Sequence, residues 1–295
     1  MGTFVEIKTY SDSSDIKKVV GGAITLAGGL EKRFSAFDPA SEINRLNSRR
    51  EGKVSPDLYE VLGVSGNTSR LTGGKFDITV SPVLKKKGFY ASMPAVLKDR
   101  IPDSYADGDW KKVVLAGNSE VVLGGDVWVD LSGIAKGYIV DRMAMFLENG
   151  GVGRFLINAG GDIFCGAGPD GRKWQIGLRE PGSGKVLLVI AVCRMAVATS
   201  GDYENWVFDE IPGRDVAHIV DPSASAPIDK KMSSVTVIAP VCARADALAT
   251  GMMAMGSKKA IDLAETIDGV EVITVDRDGE GYKMGYSSGA KEYVK

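Results

Sequence analysis

From Lys112 onward the chain is written in short β-branched runs: KVVLA (112–116), EVVL (120–123), VWVDL (127–131), RFLINA (154–159), WQIGL (174–178), KVLLVIAV (185–192), AHIV (217–220), SVTVIA (234–239) and VEVITV (270–275). Gly, Asn and Asp separate them. Runs this short, joined by turn residues, suit antiparallel pairing, because each parallel pairing needs a crossover of a dozen residues or more. Two stretches of helical spacing interrupt them, Ile134 to Asn149, ended by Gly150, and Arg244 to Ile267, broken near Gly256. The pattern predicts an α+β fold, a largely antiparallel mixed sheet with flanking helices.

The first third reads differently. Met1 to Tyr10 alternates as an opening strand, and Ser13, Ser14 and Asp15 precede apolar residues at Ile16, Val20, Ala23, Ala27, Leu30 and Phe34, which is helical spacing. The glycine pairs at 21–22 and 28–29 oppose that helix by about 1 kcal/mol per Gly. Ser55 followed by Pro56 predicts an N-cap and first turn for a helix through Leu58, Val61 and Leu62 that stops by Gly73 and Gly74. Residues 85–111 mix Lys, Gly, Pro and Asp without a period and read as a surface excursion, its Lys85, Lys86 and Lys87 forming a solvated face. No fixed-period repeat and no Ser/Pro-rich linker divides residues 1–295, which predicts a single domain with two lobes.

Charge and cysteine usage remove several classes of function. Lys plus Arg (36) nearly cancels Asp plus Glu (38), so the chain has no overall positive field for nucleic acid or an anionic membrane, and an anionic ligand must be held locally. No apolar run approaches the ~18 residues of a membrane span. Cys165, Cys193 and Cys242 are too scattered for a disulfide framework or a cysteine-rich zinc site and read as buried filler.

Several local patterns bear on chemistry. GAGPDG (166–171) matches a dinucleotide fingerprint, but Arg172 to Gln175 leads into a strand instead of a helix, so it reads as a hairpin loop. Asp276 to Gly279 lacks the spacings of a calcium loop and reads as a turn. Asp246 and Thr250 stand four apart, which on a helix stacks a carboxylate over a hydroxyl; they are either two oxygen ligands for a hard cation or a cap and a back-bonded threonine. Asp130 stands at a strand-to-helix switch where Ser132 and Gly133 turn the backbone. Lys136 then falls in the first helical turn, beside a positive helix end, where it marks a phosphate site or is an ordinary surface lysine. Asn158 to Asp162 and Thr199 to Tyr203 are further Gly-rich strand exits. His218, the one histidine of the chain, precedes an Asp-Pro turn and is either the imidazole of a catalytic site or a satisfied strand-end residue.

Taken in order, MGTFVEI (1–7), FSAFDPASEINRLN (34–47), TGGKFDITVSPV (72–83), VDLSGIAKGYIVD (129–141), LINAGGDI (156–163), WQIGLREP (174–181), AVATSGDYE (196–204), HIVDP (218–222) and SVTVIAPVCARADALATG (234–251) resemble the ApbE family, the FAD:protein FMN transferases. The likeness runs from Met1 to about Gly256 and skips mainly 85–111. It implies an enzyme that moves FMN from FAD to a Ser or Thr hydroxyl of an acceptor protein, forming a phosphoester and releasing AMP. By the same resemblance Met1 and Phe37 pack on the flavin nucleotide, Lys75, Phe76 and Asp77 wall the pocket, and Asp130, Lys136 and the Val220 backbone contact FAD. Phe37 stands where many relatives carry Tyr, and Ala224 and Ser225 where relatives often read Thr-Gly. The resemblance further implies Mg²⁺ held by the Gly133 carbonyl, Asp246 and Thr250, with an added main-chain ligand at Ala249. His218 then takes the acceptor's proton or attacks phosphorus itself. Expected acceptors are flavoprotein subunits of membrane redox complexes. Two rivals use the same residues: an Mg²⁺-dependent FAD pyrophosphatase, and a non-catalytic FAD-binding protein. Since relatives are mostly exported lipoproteins and this chain begins at the family's first motif, the expected location is periplasmic or membrane-anchored if a leader has been removed, and cytoplasmic if the chain is complete as given.

Overall fold

Residues 232–239 are buried at every position, so this strand must be covered on both faces and paired on both edges. The computed structural model describes residues 3–10, 15–106, 108–181, 183–201, 220–222, 226–227, 232–279 and 281–295. In chain order the first elements are β1 (Val5–Thr9), α1 (Ile16–Phe34), α2 (Glu42–Arg49), β2 (Glu51–Lys53), α3 (Pro56–Leu71), α4 (Ser81–Lys86) and α5 (Ala95–Lys98). Then come β3 (Val113–Gly117), β4 (Glu120–Leu123), α6 (Ala135–Asn149), β5 (Phe155–Ala159), β6 (Asp162–Cys165), β7 (Trp174–Arg179), β8 (Val186–Val192) and β9 (Met195–Gly201). The last are β10 (Val220–Asp221), β11 (Ala226–Pro227), β12 (Met232–Ala239), α7 (Cys242–Met255), α8 (Ser257–Ala264), β13 (Glu271–Asp278) and β14 (Gly281–Tyr286).

Seven strands form the main sheet in the order β1-β5-β6-β9-β12-β13-β14. Every pairing among the described residues is antiparallel, so the expected mixed character gives way to a uniform one. Side chains alternate between two apolar layers, as a strand's period of two requires. Phe155, Ile157, Ala196, Ala198, Val235, Val237 and Val272 join the large core with α1, α3, α6 and α7. Leu156, Val197, Ile238 and Ile273 face the other way, onto the β7–β8 hairpin and the C-terminal Tyr293 and Val294. A three-stranded sheet, β2-β4-β3, lies apart from the main one.

The helices follow the sequence pattern with local reasons. α1 survives its four glycines because Ala23, Ala27, Leu30 and Phe34 bury one stripe; at Gly22 a side chain would strike the Phe146 ring at 2.6 Å. Ser55 caps α3 by accepting the Leu58 N–H at 3.2 Å, with Pro56 in the first turn. Gly256, at φ 80°, divides α7 from α8 where the break was expected.

Four sequence expectations are corrected. VWVDL forms no strand. Its backbone is bonded by the Asn47 side chain, whose amide oxygen accepts the Val129 N–H (2.8 Å) and whose amide nitrogen donates to the Val129 carbonyl (2.9 Å). Residues 85–111 are not a solvated excursion: Tyr90, Met93, Leu97 and Ile101 bury themselves with Val83, Leu84, Ala36, Trp128 and Val220 in an apolar cluster of their own. Within the lysine run, Lys85 donates to the Ile101 carbonyl at 2.8 Å, and the Lys87 ammonium is buried without a hydrogen-bond partner, so burial lowers its pKa. The 166–171 loop connects β6 to β7, which belong to different sheets, and is therefore a crossover between layers instead of a hairpin. Of the cysteines, Cys165 and Cys242 are buried while Cys193 is partly exposed.

Candidate active site

Two small constructions built on different principles meet here. The first is the crossing of α6 and α7. Gly137 lies in the first turn of α6, and a Cβ there would stand 2.5 Å from the Cys242 carbonyl oxygen and 2.8 Å from the Asp246 Cβ, so only glycine permits the approach. The helices then cap each other. Asp141 of α6 accepts the Cys242 and Ala243 N–H groups, at 2.7 and 2.8 Å, at the start of α7. Asp246 of α7 accepts the Gly137 N–H at 3.0 Å. Asp246 thus serves its neighbour's N-terminus, where both the free N–H groups and the dipole favour a carboxylate. Burial pushes the Asp141 pKa up to about 6, partly offset by its two backbone donors. Burial also raises the Cys242 thiol, with Asp141, Asp162 and Asp246 adding to the effect, so that thiol is no nucleophile.

Thr250 lies one helical turn beyond Asp246. A Cβ on Gly133 would stand 3.4 Å from the Thr250 Oγ1 and 3.3 Å from the Phe76 ring, which places the Gly133 turn directly against both. Gly251 closes the contact from the other side, where an added Cβ would stand 3.2 Å from the Phe76 backbone nitrogen. Ala249 is fully buried in the same turn of α7. Lys136, in the first turn of α6 as expected, reaches the buried Asp162 at 2.5 Å. Its charge at a positive helix end is therefore matched by a carboxylate at the start of β6.

The second construction is a pair of Asp-x-Ser/Thr turns lying side by side, joined by the Asp130 N–H donating to the Ile78 carbonyl at 2.8 Å. In one, Asp77 Oδ1 accepts the Thr79 N–H (2.7 Å) and hydroxyl (2.6 Å). In the other, Asp130 Oδ1 accepts the Ser132 N–H (2.7 Å) and hydroxyl (2.5 Å). The second oxygen of each carboxylate takes a phenol: Tyr105 donates to Asp77 Oδ2 at 2.8 Å, and Tyr90 to Asp130 Oδ2 at 2.5 Å. Burial raises the Asp77 pKa against the lowering effect of these donors. Burial and the facing Asp130 hold Tyr90 well above its ordinary value, so the phenol keeps its proton.

Around this pair the remaining site residues gather. Phe37 is 38% exposed and meets the Tyr90 ring edge-on at 6.1 Å. Lys75 grips both oxygens of Asp221 at 2.7 Å, and the adjoining Val220 is buried in the cluster of Tyr90 and Trp128. The structure therefore brings together Phe37, Lys75, Phe76, Asp77, Asp130, Gly133, Lys136, Val220, Asp246, Ala249 and Thr250. Met1 and His218 lie outside the described residues, as do Ala224 and Ser225.

Sequence reasoning missed Tyr90, Tyr105, Asn47 and Asp141, and read Asp162 only as the end of a Gly-rich strand exit. Tyr90, Met93, Leu97 and Ile101 lie on turns and the short α5 instead of one helix, so no local period marked the first of them. Among the described residues no three His, Cys, Asp or Glu side chains cluster as a metal site. The donors at the helix crossing are instead one carboxylate, one hydroxyl and one carbonyl, hard oxygens suited to Mg²⁺ when a ligand's phosphates and water complete its shell. Among the described residues no helix is long and apolar enough to cross a membrane.

The model of the ApbE family matches residues 1–274. The FAD:protein FMN transferase of Haemophilus influenzae is 30% identical over 314 aligned residues, covering 100% of this chain and 90% of that protein. The enzyme of the same name from Vibrio cholerae is 30% identical, with 100% and 90% covered. Among solved structures, the flavin transferase ApbE of Vibrio cholerae superposes with a TM-score of 0.82 at 28% identity, covering 99% of this chain and 96% of that one. The ApbE protein of Thermotoga maritima gives 0.84 at 27% identity, covering 100% and 96%.

Proposed function

The chain belongs to the ApbE family, and from that premise we propose that it transfers FMN from FAD to a Ser or Thr hydroxyl of an acceptor protein. The acceptor oxygen forms a bond to the FMN phosphorus, the bond from that phosphorus to the bridging oxygen breaks, and AMP leaves. The acceptor's proton passes to His218 in this reading, an imidazole being suited to the transfer near neutral pH. Subunits of membrane redox complexes are the acceptor class we infer from the family resemblance.

The observation that carries the reading is the meeting of Gly133, Asp246 and Thr250 against Phe76 at the head of α6. Charge supports it. Among the described residues the site gathers five carboxylates, Asp77, Asp130, Asp162, Asp221 and Asp246, against the two ammonium groups of Lys75 and Lys136. Such a site repels a pyrophosphate until a cation offsets it. Asp246, Thr250 and the Gly133 carbonyl would hold Mg²⁺, which when bound supplies neutralisation of charge on the phosphates. Lys136 adds a positive group on the same side, Phe76 excludes water from one wall, and the buried Asp77 and Asp130 accept hydrogen bonds from the donor-bearing parts of FAD.

The test is incubation with FAD, Mg²⁺ and a candidate acceptor protein, followed by intact mass and AMP release. A gain of one FMN less water on the acceptor, with AMP formed in equal amount and both abolished by chelator or by Asp246→Ala, is expected. AMP formed without acceptor labelling would replace the reading with FAD hydrolysis. FAD bound without AMP would replace it with a binding protein.

A further inference from the structure

Lys75 and Asp221 stand 146 residues apart in sequence and meet through one ammonium and one carboxylate, with Lys75 Nζ at 2.7 Å from each oxygen. Their side chains are 23% and 19% exposed, so solvent ions screen the pair less than they would at the surface. Each partner is anchored on its own side. The Lys75 N–H donates to the Thr72 carbonyl at 3.2 Å, and the Phe76 N–H to the Thr72 hydroxyl at 3.0 Å. Phe76 in turn lies against Gly133 and Gly251, so the backbone under Lys75 is fixed to α7 and to the turn before α6. Asp221 follows Val220, which is buried with Ala36, Tyr90 and Trp128, and pairs with Ala226 in the β10–β11 sheet. Among the described residues that two-stranded sheet joins no larger one, so the ion pair ties together units that no strand pairing connects.

We propose that Lys75 is a positioning residue for FMN transfer: through Asp221 it fastens β10, and with it the stretch of chain that carries His218, to the connection between α3 and α4. Asp221 stands three residues beyond His218 in sequence. The inference rests on the functional reading above and gives Lys75 a different task from the pocket wall that the resemblance implies. Charge supports the difference. A phosphate that took up the Lys75 ammonium would have to displace a carboxylate held at both oxygens, and would leave that partly buried carboxylate uncompensated. Loosening the tie moves a reacting group without removing one, and a displacement of about 1 Å is enough to slow a reaction about 100-fold.

The deciding experiment measures kcat and KM for FMN transfer, FAD affinity by flavin fluorescence and the thermal midpoint in the wild-type chain, Lys75→Met, Lys75→Arg, Asp221→Asn and the Lys75→Met/Asp221→Asn double variant. Lys75→Met and Asp221→Asn are each expected to lower kcat about 10- to 100-fold, with Kd for FAD changed less than about 2-fold. The double variant should fall within about 3-fold of the slower single one, because both changes break the same tie. Lys75→Arg, which keeps the charge, should retain at least about a third of kcat. Wild-type kcat in Lys75→Met or Asp221→Asn overturns the proposal. So does a rise of about 10-fold in Kd confined to Lys75→Met, with losses that multiply in the double variant, since Lys75 would then hold FAD directly. A fall in kcat matched by loss of affinity and of thermal midpoint in both single variants overturns it too, the pair then being structural only. Each of these outcomes leaves the transferase reading intact, whereas a wild-type chain that labels no acceptor overturns both. Should Lys75→Met fail to fold, Asp221→Asn against Lys75→Arg decides, by loss of kcat in the first and retention in the second.

Discussion

The α6–α7 crossing and the paired turns at Asp77 and Asp130 both hold carboxylates at the candidate site, yet they do it with different donors. At the crossing, Asp141 and Asp246 are satisfied by backbone N–H groups at helix ends. At the turns, Asp77 and Asp130 are satisfied by hydroxyls of Thr79, Ser132, Tyr90 and Tyr105 as well as by the backbone amides of Thr79, Ser132 and Trp110. The first arrangement is a by-product of regular secondary structure and tolerates no change in helix separation. The second is assembled from side chains contributed by distant segments, so it is adjustable one hydroxyl at a time. The candidate site thus joins a rigid helix crossing to a set of turns that can be changed side chain by side chain.

The largest effect should come from filling the crossing. Gly137→Leu sets a side chain against the Cys242 carbonyl and the Asp246 Cβ, neither of which can move without separating the helices. A loss of at least about 3 kcal/mol in urea denaturation is expected, above the ordinary range for a surface change. A near-neutral result would show the crossing to be as yielding as the turns, and the contrast would fail.

Asp141 gives the same region a pH signature. Its folded pKa, pushed up to about 6, lies above the ordinary 3.8, so between those values the folded chain binds the extra proton. Stability from this group is therefore complete below about pH 4 and is lost as pH rises through 6, by about 3 kcal/mol at most. Urea midpoints measured from pH 4 to 7 should show that decline in the wild-type chain and a flatter profile in Asp141→Asn. Parallel profiles would mean that the two N–H donors outweigh burial.

The smallest effect tests the turns. Asn47→Ala removes the amide that holds the Val129 N–H and carbonyl, leaving both buried groups to find water, at a cost of about 2 kcal/mol. Because Val129 precedes Asp130, FAD affinity should fall with it while the α6–α7 crossing, probed by the Asp141 pH profile, stays unchanged. If the pH profile shifts too, the two constructions are one unit.

The difference in design explains what could be seen in the sequence. Helices long enough to repeat their spacing were legible: α3 with its Ser55–Pro56 start, α6 to Gly150, and α7 and α8 with the break at Gly256. Asp246 and Thr250 could be paired from that spacing, and Gly133 and Lys136 from the turn into α6. Elements of four to six residues, such as α4 and α5, complete too few turns to impose a period on their apolar residues. The segment 85–111 therefore read as solvated although it buries Tyr90 completely. VWVDL looked like a strand because it is extended and apolar. Its pairing partner is the side chain of Asn47, eighty-two residues away in sequence, and no local pattern records that.

The position of α7 behind β12 sets how the helix crossing fluctuates. β12 is bonded to a strand on each edge and buried throughout, so its amides exchange with solvent only in the rarest openings, those that unfold the core. Only Pro240 and Val241 separate the end of that strand from α7, whose Asp246 and Thr250 therefore ride on the slowest-exchanging part of the molecule. Tyr105, at a partly exposed position in a segment of short turns, belongs to a layer that opens far more often. The residues at the α6–α7 crossing are therefore carried by the part of the core that opens least, and those around Tyr105 by shorter elements.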